Sequence, residues 1–357
     1  MNGEKDSFIH SSLSLIVLVV LAVVSSVVIM HFGLNDHHIT MAQQQSQVNL
    51  TSDEKQKALE GISFVIDNTT FSHHTAAVNG IQMHYVIGGK GDPVVLLHGY
   101  PQSWYEWRYI MPALAKNYTV IAPDLRGFGD SSKPLTGYDG KTTAEDIYQL
   151  TKLLGFNKIF LAAHDVGSQT AFSYTANHPG NVTKLVIMDF PFPGFLPPSF
   201  GSNGPWWFSF YQQQDIPESL IQGKEREYIS SFMRGLAYNP SAIKEEDIDV
   251  WTSHAMSPGG LRGSFEHFRA FPADAMQNKE IAKSKITTPV LALGGDIYPA
   301  LGGDVPGNFA YSSLQSLASN VTGITVPLSG HWIPEEQPKF VIDQLFKFFG
   351  NNTSGSK

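Results

Sequence analysis

The 357-residue sequence is 42% hydrophobic and 16% charged, enough to bury one large core plus an inserted subdomain. A formal net charge of −8 gives no reason to expect nucleic acid as a partner, and the absence of cysteine excludes disulfides, thiolate nucleophiles and cysteine-bound zinc. With 23 Phe and 6 Trp, rings are expected to line a pocket as well as fill a core.

Residues 1–12 form a short tail, and Leu13 to Met30 are apolar apart from Ser14, Ser25 and Ser26. Eighteen residues of helix span about 27 Å, close to the thickness of a bilayer's hydrocarbon core. The run reads as a transmembrane helix or signal anchor, with a cleaved signal peptide and a secreted protein as the alternative. Sequons begin at Asn49, Asn68, Asn117, Asn181, Asn320, Asn351 and Asn352, which favours an extracytoplasmic catalytic domain. Residues 31–75 are rich in Gln, Ser and Asn and read as a polar tether.

From residue 76 onward short β-branched runs alternate with longer amphipathic stretches. Strands are expected at 82–87, 94–97, 119–122, 158–163, 184–188, 290–293 and 323–326. Helices are expected at 104–116, 143–154, 168–177 and 338–349. This alternation implies an α/β fold, with a mostly parallel sheet covered by helices on both faces. It breaks between 195 and 285, an aromatic-rich stretch that reads as a helical lid. The core is then 76–194 with 286–350, followed by a tail at 351–357.

The central motif is Ala163-His164-Asp165-Val166-Gly167, at the end of an apolar strand and the start of a helix. Small residues flank the middle position, as the tight turn of a nucleophile elbow requires. Serine is commonest there. Asp165 instead offers a carboxylate, which can attack carbon and form an ester. The competing reading is an Asp that merely caps the following helix. Upstream, His98-Gly99-Tyr100-Pro101 ends a buried strand. The N–H groups of Tyr100 and Val166 are expected to form an oxyanion hole, while His98, Asp124 and Arg126 read as structural. His331, in Gly330-His331-Trp332, is positioned to be the general base that activates water against the ester. Its supporting acid is either Asp189 or Asp296, each of which follows a strand. This chemistry calls for no metal and no cofactor.

From about Val78 to Gly350 the chain resembles the epoxide hydrolase and dehalogenase branch of the α/β-hydrolases, and it is especially similar to secreted bacterial epoxide hydrolases of that branch. The resemblance rests on His98-Gly99, Ser103-Trp104-Tyr105-Glu106-Trp107, Ala163-His164-Asp165, Gly223-Lys224-Glu225-Arg226, Ser264-Phe265-Glu266 and Gly330-His331-Trp332. It implies Asp189 as the acid, 24 residues after Asp165, and leaves Asp296 as second choice. Epoxide hydrolases present two ring donors from the lid to the opening oxygen. By resemblance those positions hold Trp207 and Phe268, neither of which can lend a proton. Tyr211 and His267 are the candidate substitutes. A dehalogenase needs only donors for the departing halide, for which Trp207 and Trp104 are candidates, and Trp332 completes the expected pocket. Fluoroacetate dehalogenases clamp a carboxylate with Arg where Val166 and Gln169 stand here, so the pocket reads as apolar. The implied function is hydrolysis of a small apolar molecule by water, with epoxide chemistry first and dehalogenation second. An esterase is disfavoured, because attack by a carboxylate on an ester gives a mixed anhydride. A non-catalytic binding protein on the same fold is the remaining reading.

Overall fold

The computed structural model describes residues 61–200, 204–298 and 308–350. Nine strands form one sheet: β1 (Ser63–Ile66), β2 (Thr69–Val78), β3 (Ile81–Gly89), β4 (Asp92–Leu97), β5 (Tyr118–Pro123), β6 (Ile159–His164), β7 (Val182–Met188), β8 (Val290–Gly295) and β9 (Val321–Val326). Their spatial order is β1-β2-β3-β5-β4-β6-β7-β8-β9. The first three make an antiparallel meander, and every pairing from β5 through β4 to β9 is parallel. The central parallel strands are mostly apolar, and β6 and β8 are buried along their whole length, whereas β9 at the sheet edge is largely exposed or half-buried.

Helices α1 (Met111–Leu114), α2 (Gly140–Leu153) and α3 (Gly167–Asn177) follow in chain order between the strands. Among the described residues six α-helices lie between β7 and β8: α4 (Trp206–Tyr211), α5 (Ile216–Ile221), α6 (Glu225–Leu236), α7 (Glu245–Met256), α8 (Gly260–Arg269) and α9 (Phe271–Ile281). Helix α10 (Phe309–Leu317) lies between β8 and β9, and α11 (Ile333–Glu336) and α12 (Pro338–Phe349) follow β9.

Three expectations need correction. Residues 63–66 and 69–75, assigned to a tether, are sheet strands: β2 pairs with β3 from Phe71 to Val78 and buries Phe71 in the core. The helix expected at 104–116 is a 3₁₀ turn over Trp104–Tyr109 followed by α1. Pro112 has no N–H to bond back to residue 108, so a continuous helix breaks there and a new one starts at Met111. The membrane anchor is the third. Among the described residues no helix is long and apolar enough to cross a membrane, and the single-pass reading is not carried forward. Residues 13–30, on which it and the signal-peptide alternative rested, lie outside the described residues, as do 351–357.

Candidate active site

The carboxyl ends of adjacent parallel strands carry the two central acids. Asp165 follows β6 and Asp189 follows β7, both in the left-handed backbone region, at φ 47° and 49°. Their amides are tied to the neighbouring strand, Asp165 N–H to Met188 O at 3.1 Å and Asp189 N–H to Leu293 O at 2.9 Å. The strained turn stands Asp165 at the head of α3, and the small residues around it are sterically required. A Cβ on Gly167 would lie 2.3 Å from His98 O, and one on Gly99 2.4 Å from Asp165 Cβ.

His331 lies between the acids. Its Nδ1 is 2.6 Å from Asp189 Oδ2 and its Nε2 is 3.7 Å from Asp165 Oδ2. The Tyr100 N–H donates to Asp165 Oδ1 at 2.8 Å. One carboxylate oxygen is therefore held by a backbone donor, and the other faces the imidazole at a distance too long for a hydrogen bond. Val166 is buried at the head of α3. Asp296 is exposed and does not approach His331; its amide bonds to Ser329 O at 2.8 Å.

Asp165, Asp189 and His331 open onto a cavity otherwise lined mainly by apolar and aromatic groups, among them Trp207, Phe208, Phe232, Phe268 and Phe309. Of the expected pocket residues, Trp207 and Phe268 line it. The other four do not, each because its ring is used elsewhere. Trp104 packs beside Phe64 and His73 at the β1–β2 edge, with centroids 5.3 and 5.4 Å away. Trp332 is fully buried and its indole N–H bonds to Met233 O. Tyr211 stacks on Phe265 at 4.6 Å and shares a hydroxyl hydrogen bond with Tyr228. His267 donates from Nε2 to Arg126 O at 2.9 Å, and burial pulls its pKa down to about 3, so it is no acid at neutral pH.

Two features escaped sequence reading. Tyr298 lines the cavity, donates its hydroxyl proton to Asp189 Oδ1 and accepts from Gly295 N–H at 2.8 Å. Burial, reinforced by the Asp189 charge, holds its pKa well above the usual phenol value, so the proton stays in place. The second feature is a buried charge network behind the elbow. His164 has Glu106 Oε1 3.0 Å from Nδ1 and the carbonyl of His331 2.9 Å from Nε2. Acceptors at both nitrogens favour the imidazolium. Burial alone would lower its pKa, but the Glu106 charge and hydrogen bond raise it to about 9. Glu106 also accepts the Gly99 N–H at 2.9 Å, so the network joins the loop after β4, the turn at Asp165 and the loop that carries His331.

His98 makes only backbone bonds, to Gly99 O and from Leu125 N–H. Among the described residues one trio, His84, Asp124 and Asp130, is spaced to hold a metal ion. None of the three lines the cavity. Asp124 is already bonded to His84 Nδ1 and to the amides of Trp104 and Asp130, a loop-closing role.

The chain as a whole is similar to proteins already known. The family model described as alpha/beta hydrolase fold matches residues 92–338. A soluble epoxide hydrolase from Corynebacterium sp. (strain C12) is 39% identical over 298 residues, covering 79% of this chain and 98% of the relative. The crystal structure of Cfl2 from Burkholderia cenocepacia aligns with a TM-score of 0.72 and 38% identity, covering 78% of this chain and 96% of that one. The Cif epoxide hydrolase from Acinetobacter nosocomialis aligns with a TM-score of 0.71 and 26% identity, over 88% and 100% of the two chains. The chain belongs to the α/β-hydrolase fold family and is a hydrolase.

Proposed function

We propose that this hydrolase opens a small, uncharged, apolar epoxide with water through an ester on Asp165. The observation that carries the reading is the split environment of one carboxylate: Tyr100 N–H on Oδ1, His331 Nε2 opposite Oδ2, and Asp189 behind the imidazole. Oδ2 attacks the epoxide carbon, the C–O bond of the ring breaks, and the oxygen leaves as an alkoxide that takes up a proton. Oδ1 is then the ester carbonyl oxygen. His331 removes a proton from water as that water attacks Cγ. The charge that develops on Oδ1 meets Tyr100 N–H, with Val166 N–H as the second donor of the oxyanion hole. Asp189 stabilises the imidazolium, and collapse of the intermediate releases the diol.

Dehalogenation is the second reading, favoured by one observation. Trp207 and Phe268 face the cavity and bring no hydroxyl. A positioned acid is worth about 10²–10⁴ in rate to an alkoxide, whereas a halide leaves without a proton and needs only solvation by donors such as an indole N–H. A panel of small epoxides and short haloalkanes, with Asp165→Asn as control, tests both readings. Diol formation abolished by Asp165→Asn supports the first. Phe268→Tyr should then raise epoxide turnover and leave halide release unchanged. Halide release with no epoxide opening by wild type or Phe268→Tyr would replace the first reading with the second.

A further inference from the structure

The loop that carries His331 is bonded to the helices inserted between β7 and β8. Its own amide donates to Leu236 O at 3.0 Å, where α6 ends. Glu336, five residues on and at the end of α11, closes a second link. Its Oε1 accepts the Gly330 N–H at 2.8 Å and its Oε2 accepts the Asn239 N–H at 2.9 Å. Gly330 is pressed against the same segment; a Cβ there would lie 2.3 Å from Leu236 O and 2.6 Å from Tyr238 N. One carboxylate thus joins the residue before His331 to the strap at 236–239.

Keeping a carboxylate there is unfavourable in itself. Burial raises the Glu336 pKa to about 7, although the amides of Asn239, Gly330 and Tyr238 and the nearby His331 pull the other way. A glutamine would avoid that penalty but would put a donor NH₂ on one arm, so it could not accept the Gly330 and Asn239 N–H groups one on each arm.

We infer that Glu336 is a positioning residue for His331, stapling the base loop to the strap after α6 so that Nε2 stays over the Asp165 carboxylate. The inference rests on the ester mechanism proposed above and deepens it. The two chemical steps depend on His331 differently. Attack by Asp165 Oδ2 on the substrate needs no base, whereas attack by water on the ester needs Nε2 aligned. Loosening the staple therefore slows hydrolysis of the ester and spares its formation. A misplacement of about 1 Å can cost on the order of a hundredfold in rate.

The test uses Glu336→Gln, with styrene oxide as the probe and His331→Gln as the reference for a stalled ester. Rapid quenching followed by intact-protein mass measurement gives ester formation in a single turnover and its level at steady state. The expected result is ester formation within twofold of wild type, turnover lower by about ten- to a hundredfold, and ester accumulating on Asp165 as in His331→Gln. Formation and hydrolysis slowed in equal proportion, or neither slowed, would overturn the inference. If Glu336→Gln does not fold, Glu336→Asp, which keeps the charge but shortens the reach, is read in the same way; a wild-type ratio of the two steps in that variant overturns the inference. Absence of ester on Asp165 in both His331→Gln and wild type would instead remove the mechanism beneath it, and the inference with it.

Discussion

At the scale of single residues, the division of labour among the acids follows from where each backbone turns. Asp165 and Asp189 leave adjacent strands at the same end of the sheet with the same left-handed turn, so both carboxylates reach one imidazole. Asp296 leaves β8 toward solvent. Turnover by Asp189→Asn is accordingly expected to fall by about 10⁴, as when a triad's orienting acid is removed, with Asp296→Asn close to wild type; steady-state rates on one substrate check both, and a reversed order would move the acid to Asp296. The residues surrounding Asp165, Gly99 and Gly167 were legible because the tight turn tolerates so few residue types. Tyr298 was not. Nothing in a strand-then-loop pattern says that the third residue after β8 folds back onto Asp189. Trp104, Tyr211, His267 and Trp332 are the converse case. Their chemistry suits a pocket, and only tertiary packing shows that their rings are engaged elsewhere.

At the scale of elements, strands β3 to β9 were visible as short runs rich in apolar and β-branched residues, most clearly in the central parallel strands, which are buried on both faces and must be apolar. Strands β1 and β2 were not visible. They lie at the sheet edge, largely half-buried or exposed, and β2 reads Thr-Thr-Phe-Ser-His-His-Thr, which composition alone does not separate from a polar lead-in. The docking of α9 onto the core is polar. Asp274 is buried and accepts the Gly140 N–H at 2.7 Å at the start of α2, while Asn278 exchanges hydrogen bonds with Gln169 of α3. Burial, with Asp139 adding to it, raises the Asp274 pKa from 3.8 to about 8. The folded state then binds more protons than the unfolded chain between those values, so this group's contribution to stability is full below about pH 4 and is lost as pH rises toward 8. Asp274→Asn keeps an acceptor for Gly140 and removes the titration. Melting temperatures from pH 4 to 9 should show the variant gaining on wild type as pH rises; a constant difference across that range would contradict the assignment.

At the scale of the whole molecule, the parallel sheet gathers reactive side chains at the carboxyl ends of its strands, and the helices between β7 and β8 supply much of the apolar wall of the cavity through Trp207, Phe208, Phe232 and Phe268. The proposed nucleophile, acid and base follow in the chain order Asp165, Asp189, His331 that this topology sets. In the proposed mechanism Asp165 bonds to substrate. If it does, water attacks Cγ, the Cγ–Oδ2 bond breaks, and Oδ2 leaves in the product. One turnover in ¹⁸O-water, with enzyme in excess over a small epoxide, should therefore give a diol free of ¹⁸O and one ¹⁸O in the peptide carrying Asp165. A first-turnover diol carrying ¹⁸O, with an unlabelled Asp165 peptide, would show that water attacks the substrate directly and would contradict the account.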